Sequence, residues 1–189
     1  MALLRNKGKT FLQKVASPFL TASPQKRMKW FLMTVLFGAL AVGSEVWFYH
    51  NYRIAWDRQI IKCMDYRFLL VDLKDQALER DGLYAFKAGK QSVPIFIEGT
   101  LVGKYLKGLP GDEVEVRSDE VILINGKEVA RGMPHLAGMT DGQRRKYFGK
   151  RCLGEDEYWM MGTKPLSFDS RYWGPIRSEQ IVARAYAIF

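Results

Sequence analysis

Lys104-Tyr-Leu-Lys-Gly-Leu-Pro-Gly-Asp-Glu-Val114 is a β-favouring run that stops at a Leu109-Pro110-Gly111-Asp112 turn and resumes as a second run. Working outward, Val121-Ile-Leu-Ile-Asn125-Gly126-Lys-Glu-Val129 sets an Asn-Gly pair between strand formers. That pair is the preferred two-residue hairpin connection, because both of its residues accept positive φ. Short β-favouring runs at Ser92–Glu98, Leu101–Lys107, Glu113–Arg117, Val121–Ile124, Glu128–Arg131, Glu157–Met161 and Gln180–Phe189 complete the pattern. The body is therefore expected to be mainly β, an antiparallel sheet domain. Residues 132–154, rich in Gly, Arg and Lys, read as an insertion or lid with a short helix near Gln143–Phe148.

The 189 residues carry 29 Lys+Arg against 20 Asp+Glu, a net charge of +9. Seven of the cations lie in residues 1–29 with no acid among them, which leaves +2 for residues 30–189. A basic tail on a near-neutral body is not a nucleic-acid-binding profile, and no recognition motif accompanies it. The apolar segment after the tail accounts for the charge better. Trp30–Ser44 (WFLMTVLFGALAVGS) is free of charge, and Val46–Tyr49 extends the run past Glu45. About twenty such residues in a helix span roughly 30 Å, the hydrocarbon thickness of a bilayer. Trp30 at one end and Trp47, Tyr49 and Trp56 at the other suit the interfaces. The organisation expected is a basic cytoplasmic tail (1–28), a single transmembrane anchor (29–50) and a periplasmic domain (51–189), held in a bacterial inner membrane in contact with lipid. The tail itself reads either as an amphipathic surface helix interrupted at Pro18 and Pro24 or as a solvated segment.

The two cysteines, Cys63 and Cys152, fall on the oxidising side in this topology, where a disulfide is permitted. No internal repeat is visible and no Cys/His/carboxylate grouping has metal-ligand spacing; the two-residue chemistry set out below needs neither metal nor nucleotide, so no cofactor is expected. His50 and His135 stand apart from any evident partner and read as surface residues.

Two boxes resemble type I signal peptidases. Lys104 to Asp112 is similar to their Lys-x-x-x-Gly-Leu-Pro-Gly-Asp segment. Tyr158-Trp-Met-Met-Gly162, followed by Ser167-Phe-Asp-Ser-Arg-Tyr-Trp-Gly174, resembles their Gly-Asp-Asn…Ser-x-Asp-Ser-Arg-x-x-Gly box. The short chain and single anchor look most like the conjugative-transfer, TraF-type branch, which matures pilin subunits. The resemblance implies a signal-peptidase-like fold on one transmembrane helix. It implies an endopeptidase acting on a prepilin or another membrane-inserted preprotein, with conjugation-apparatus proteins as further partners. It also implies Lys104 as general base, Ser167 as the group orienting its amine, and an Asp169–Arg171 ion pair with Gly162 as structural support.

The sequence departs from that pattern in three places. Cys63 stands where the family has its nucleophilic serine, in Lys62-Cys63-Met64-Asp65, with Asp65 in place of a proline. Ile61 stands where many relatives place a second hydroxyl. Thr163-Lys164-Pro165-Leu166 replaces the usual Asp-Asn-Arg, one residue shorter. A cysteine keeps such a site workable, since a thiol near pKa ~8.5 is easier to ionise than a hydroxyl. The lysine serves as base only if its ammonium is destabilised from about 10.4 toward ~7–8, which at 1.36 kcal/mol per unit costs roughly 3–5 kcal/mol and requires burial among apolar groups. Leu101, Val102, Tyr105 and Leu106 are at hand, while odd spacing puts Lys107 on the other face. Cys63 has three readings: nucleophile of a Cys63–Lys104 dyad with its own N–H as oxyanion donor, disulfide partner of Cys152, or inert thiol in a catalytically silent scaffold of the secretion apparatus. A general signal peptidase is a further alternative. Self-cleaving repressors with a similar dyad are disfavoured, because a membrane span stands where they carry a DNA-binding domain.

Overall fold

A computed structural model describes residues 22–57, 63–93 and 95–188. The amphipathic-tail reading and Ile61 lie outside those residues. The uncharged run forms helix α1, Pro24–Asn51, long and apolar enough to cross a membrane, and the side chains it presents, among them Phe31, Leu36 and Phe37, are exposed. A helix of 28 residues is about 42 Å long at 1.5 Å per residue. The chain divides into two compact units between Phe48 and Tyr49.

The second unit is built on two antiparallel sheets. The strands are β1 (Tyr52–Trp56), β2 (Phe68–Asp72), β3 (Leu83–Lys87), β4 (Leu101–Gly108), β5 (Glu113–Val116), β6 (Val121–Ile124), β7 (Lys127–Arg131), β8 (Gly149–Cys152), β9 (Trp159–Met161) and β10 (Ile181–Ala187). Six form one sheet in the order β1-β2-β10-β3-β4-β9, and four form the other in the order β7-β6-β5-β8. Alternation along the strands sorts the residues of the larger sheet between two apolar clusters. Leu69, Val71, Leu83, Ala85, Ala183 and Ala185 enter one, together with Cys63 and Met64. Tyr84, Phe86, Val102, Leu106 and Met160 enter the other. The smaller sheet packs Val114, Val116, Ile122 and Ile124 with Trp159 and Met161 of β9, so β9 serves both sheets.

The Asn125-Gly126 turn is present between β6 and β7, with φ of 51° and 77°. Asn125 also ties this hairpin to the Pro-Gly turn: its amide donates to Asp112 Oδ1 at 2.7 Å, and its carbonyl oxygen accepts from the Glu113 N–H at 2.8 Å. Burial pushes the Asp112 carboxyl up, but Arg80, the Leu109 N–H and Asn125 together outweigh it and hold the group below the usual carboxylate range.

Three expectations change. Ser92–Glu98 is not a strand. Residues Lys90–Ser92 make a 3-10 turn in which Ser92 Oγ donates to the Gly89 carbonyl at 2.6 Å, and Pro94 removes a ladder donor from the middle of the run. Strands β1, β2 and β3 add half of the larger sheet. Within residues 132–154 the segment Gly149–Cys152 forms β8, an edge strand paired with β5, and the helix begins earlier, at Asp141–Arg144 (α2), behind a Thr140 capping box.

Candidate active site

Strand β4 alternates buried and partly exposed residues over its whole length, and Lys104 takes a buried position between Val102 and Leu106. Apolar packing alone would suit that position. The amine is instead fully buried and donates to Ser167 Oγ at 2.8 Å. No carboxylate among the described residues forms an ion pair with it. Its polar partner is a hydroxyl, a group that can orient an amine without neutralising it.

Ser167 is held from several sides. Its N–H donates to the Lys164 carbonyl at 3.0 Å, and its own carbonyl accepts from Arg171 Nη2 at 3.1 Å. Arg171 in turn makes a two-pronged contact with Asp169, Nε to Oδ1 and Nη2 to Oδ2, each at 2.8 Å, with both side chains buried. Burial works against the charge on Arg171, but the Asp169 carboxylate outweighs it and holds the guanidinium above its ordinary value. Asp169 also accepts from the Gly162 N–H at 3.0 Å and caps the short helix α3, Ser170–Trp173, through the Arg171 N–H. The remaining Arg171 nitrogen donates to the Gly132 carbonyl at 3.1 Å. The Asp-Ser-Arg box is thus a rigid bracket behind Ser167.

Cys63 is buried in the loop between β1 and β2, and it lines the same cleft as Lys104, a cavity of about 340 Å³ bounded by Ala55 and Trp56 of β1, Met64, Tyr66, and Leu101–Lys104 of β4. Its carbonyl accepts the N–H groups of Thr163 and Lys164 at 3.1 and 3.2 Å. The structure thereby brings five of the six expected residues, Lys104, Ser167, Asp169, Arg171 and Gly162, into one connected network, and it carries Cys63 to the same place through the 162–164 backbone. The two cysteines are thiols, not a disulfide: Cys63 is buried, whereas Cys152 ends β8 in the other sheet and is exposed. Among the described residues no cluster of His, Cys, Asp and Glu could hold a metal ion.

Gly162 is where this network leaves no room. A Cβ there would lie 2.2 Å from Ser167 Oγ and 2.7 Å from the Cys63 carbonyl oxygen. Gly162→Ala must therefore push the serine away from Lys104 or the Cys63 loop away from both. Displacements of about 1 Å cost on the order of 10²-fold in rate, so turnover in this variant should fall by about that factor. Wild-type turnover in Gly162→Ala would mean that these neighbours can separate without consequence.

Three contacts were not legible beforehand. His135 is not a lone surface histidine: its ring stands edge-on to Phe168 and Tyr172, at 5.5 and 5.0 Å between centroids, and Nε2 lies 3.0 Å from the Leu166 carbonyl, next to Ser167. The Tyr66 hydroxyl meets that of Tyr105 at 2.5 Å beside the cleft, and burial followed by this contact pushes its pKa far up. Lys164 forms an ion pair with Asp65. Each partner is 30 or more residues away in the chain, and no local pattern announces any of them.

A family model described as "Signal peptidase, peptidase S26" matches residues 27–189, most of the chain. The chain belongs to the S26 signal peptidase family. This signal peptidase is 26% identical over 169 residues to signal peptidase I V of Bacillus subtilis strain 168, covering 83% of this chain and 95% of that relative. It is 32% identical over 87 residues to a probable signal peptidase I-2 of Synechocystis sp., which covers 46% of this chain and 37% of the other. Among solved structures it is similar to a signal peptidase I from Enterococcus faecalis V583, at 25% identity and a TM-score of 0.37, with 58% of this chain and 97% of that one covered. The chemistry of the family is hydrolysis of preproteins by a signal peptidase I-like protease, and the mainly β antiparallel fold behind an N-terminal apolar helix accords with it.

Proposed function

We propose that this signal peptidase is a TraF-type endopeptidase that matures a prepilin for conjugative transfer, with Cys63 as nucleophile and Lys104 as general base. The observation that carries the reading is the buried Lys104 amine, hydrogen-bonded to Ser167 and facing the cleft that Cys63 also lines. The neutral amine takes the proton of the Cys63 thiol, and sulfur attacks the scissile carbonyl. The Cys63 N–H stabilises the oxyanion. Collapse breaks the C–N bond, and the Lys104 ammonium returns its proton to the departing amine, leaving a thioester. Water then releases a linear product. Alternatively the pilin's own amino terminus attacks the thioester, forming an amide and freeing the thiol, which closes a ring.

The surroundings favour a substrate delivered at a bilayer. Ile54, Trp56, Phe68 and Leu101 are exposed apolar residues on the strands around the cleft, and Trp56 and Leu101 belong to its wall. With α1 crossing the inner membrane and its basic flank in the cytoplasm, they would rest the domain on the periplasmic surface. An extended precursor segment there can pair with a free strand edge, a mode that asks little of side-chain identity.

The test is the intact mass of the candidate pilin from cells carrying wild type, Cys63→Ala, Cys63→Ser or Lys104→Ala. Retained precursor in the Cys63→Ala and Lys104→Ala strains is the expected result, together with a wild-type product one water lighter than the linear mature chain. Identical mature masses in all four strains would leave the protein as a scaffold, and a linear product alone would remove ring closure.

A further inference from the structure

We infer that Lys164 is a positioning residue for the nucleophile, and that its ion pair with Asp65 locks the Cys63 loop against the loop bearing Ser167. This inference rests on the dyad proposed above. It starts from two departures from the family pattern, the aspartate at position 65 and the shortened Thr163-Lys164-Pro165-Leu166 segment, which the structure places in contact with each other.

Lys164 is bound on three sides. Its N–H, with that of Thr163, donates to the Cys63 carbonyl. Its own carbonyl accepts from the Ser167 N–H at 3.0 Å and from Arg171 Nη2 at 3.4 Å. Its ammonium reaches across to the Asp65 carboxylate, two residues beyond Cys63. One residue therefore holds the nucleophile's backbone with its N–H, the backbone of the base's partner with its C=O, and the downstream side of the nucleophile loop with its side chain. The two backbone bonds hold the Cys63 carbonyl, while buried Met64 and the Tyr66–Tyr105 hydroxyl contact hold the loop on the side of the sheet. The ion pair, two residues further on, adds a direct side-chain tie between this loop and the one that bears Ser167. Both charged groups are partly exposed, at 41% for Lys164 and 66% for Asp65, so the lock should weaken in salt.

The test uses the full-length protein in detergent, with the purified pilin precursor as substrate and turnover and KM read separately. Asp65→Lys and Lys164→Asp each put like charges face to face. Each should lower kcat by about three- to ten-fold with KM little changed, and the double exchange Asp65→Lys/Lys164→Asp should return kcat to within about two-fold of wild type. Raising NaCl from about 0.05 to about 1 M should lower wild-type kcat by about two- to five-fold and leave the neutral Asp65→Asn/Lys164→Gln variant unmoved. A role in stability alone would move Tm but not this salt dependence. Wild-type kcat in both single reversals, or a double exchange no better than the singles while Tm is unchanged, overturns the inference and leaves the dyad standing. Full turnover in Cys63→Ala removes the dyad and this inference together. Should a reversal fail to fold, the salt titration of the wild type against the neutral variant decides the matter.

Discussion

Lys104→Met should lower turnover by about 10²–10⁴-fold, the usual contribution of a positioned acid–base group, while the protein stays folded. Methionine matches the apolar stem of lysine and fills the same buried slot between Val102 and Leu106. What it removes is the amine, so a loss of rate can be assigned to chemistry and not to a void. One side effect is foreseeable: Ser167 Oγ loses its partner at 2.8 Å, for which roughly 1–3 kcal/mol is expected against a small gain from no longer burying an amine. Thermal unfolding beside turnover separates the two consequences. A folded Lys104→Met enzyme that still matures its precursor at the wild-type rate would show that another group takes the proton.

Asp169→Asn should have the largest effect on stability. The variant leaves the Arg171 guanidinium buried without its carboxylate, and breaking a buried pair from one side costs about 3–5 kcal/mol. Replacing both members with apolar residues, as in Asp169→Leu/Arg171→Met, should recover part of that loss. Because Asp169 holds the Arg171 pKa above the ordinary arginine value, the charge on this side is present at every working pH, and alkali within that range should not weaken the bracket. Urea unfolding of the detergent-solubilised protein measures the change, and a difference below about 1 kcal/mol between Asp169→Asn and wild type would contradict the expected loss.

How much of this could be read beforehand depended on where the determining contacts lie. The Pro-Gly turn, the Asn-Gly hairpin and the strands around them were legible because each is specified locally by turn chemistry and alternation. Lys104, Ser167, Asp169 and Arg171 were legible only because two separate boxes resemble those of a known family; nothing in Leu101–Lys107 by itself says that its lysine points inward. Strand β1 was lost against the membrane anchor, since Ile54 and Trp56 look the same whether they end a span or begin a sheet. The run Ser92–Glu98 misled in the opposite direction, its β-branched residues outweighing Pro94. His135 and Lys164 were out of reach, because their partners, the Leu166 carbonyl and the Asp65 carboxylate, become neighbours only after the sheet has closed.

Strand β10 lies between β2 and β3, although it is the last of the described strands to be made. The β1–β2 pair that flanks Cys63 and the β3–β4–β9 group that carries Lys104 are therefore seamed together by residues 181–187. A chain in which β10 has not yet paired carries Cys63 and Lys104 on two pieces of sheet with no strand between them. The cleft that both residues line is therefore completed only when β10 docks, and its assembly comes down to pairing one strand along both of its edges.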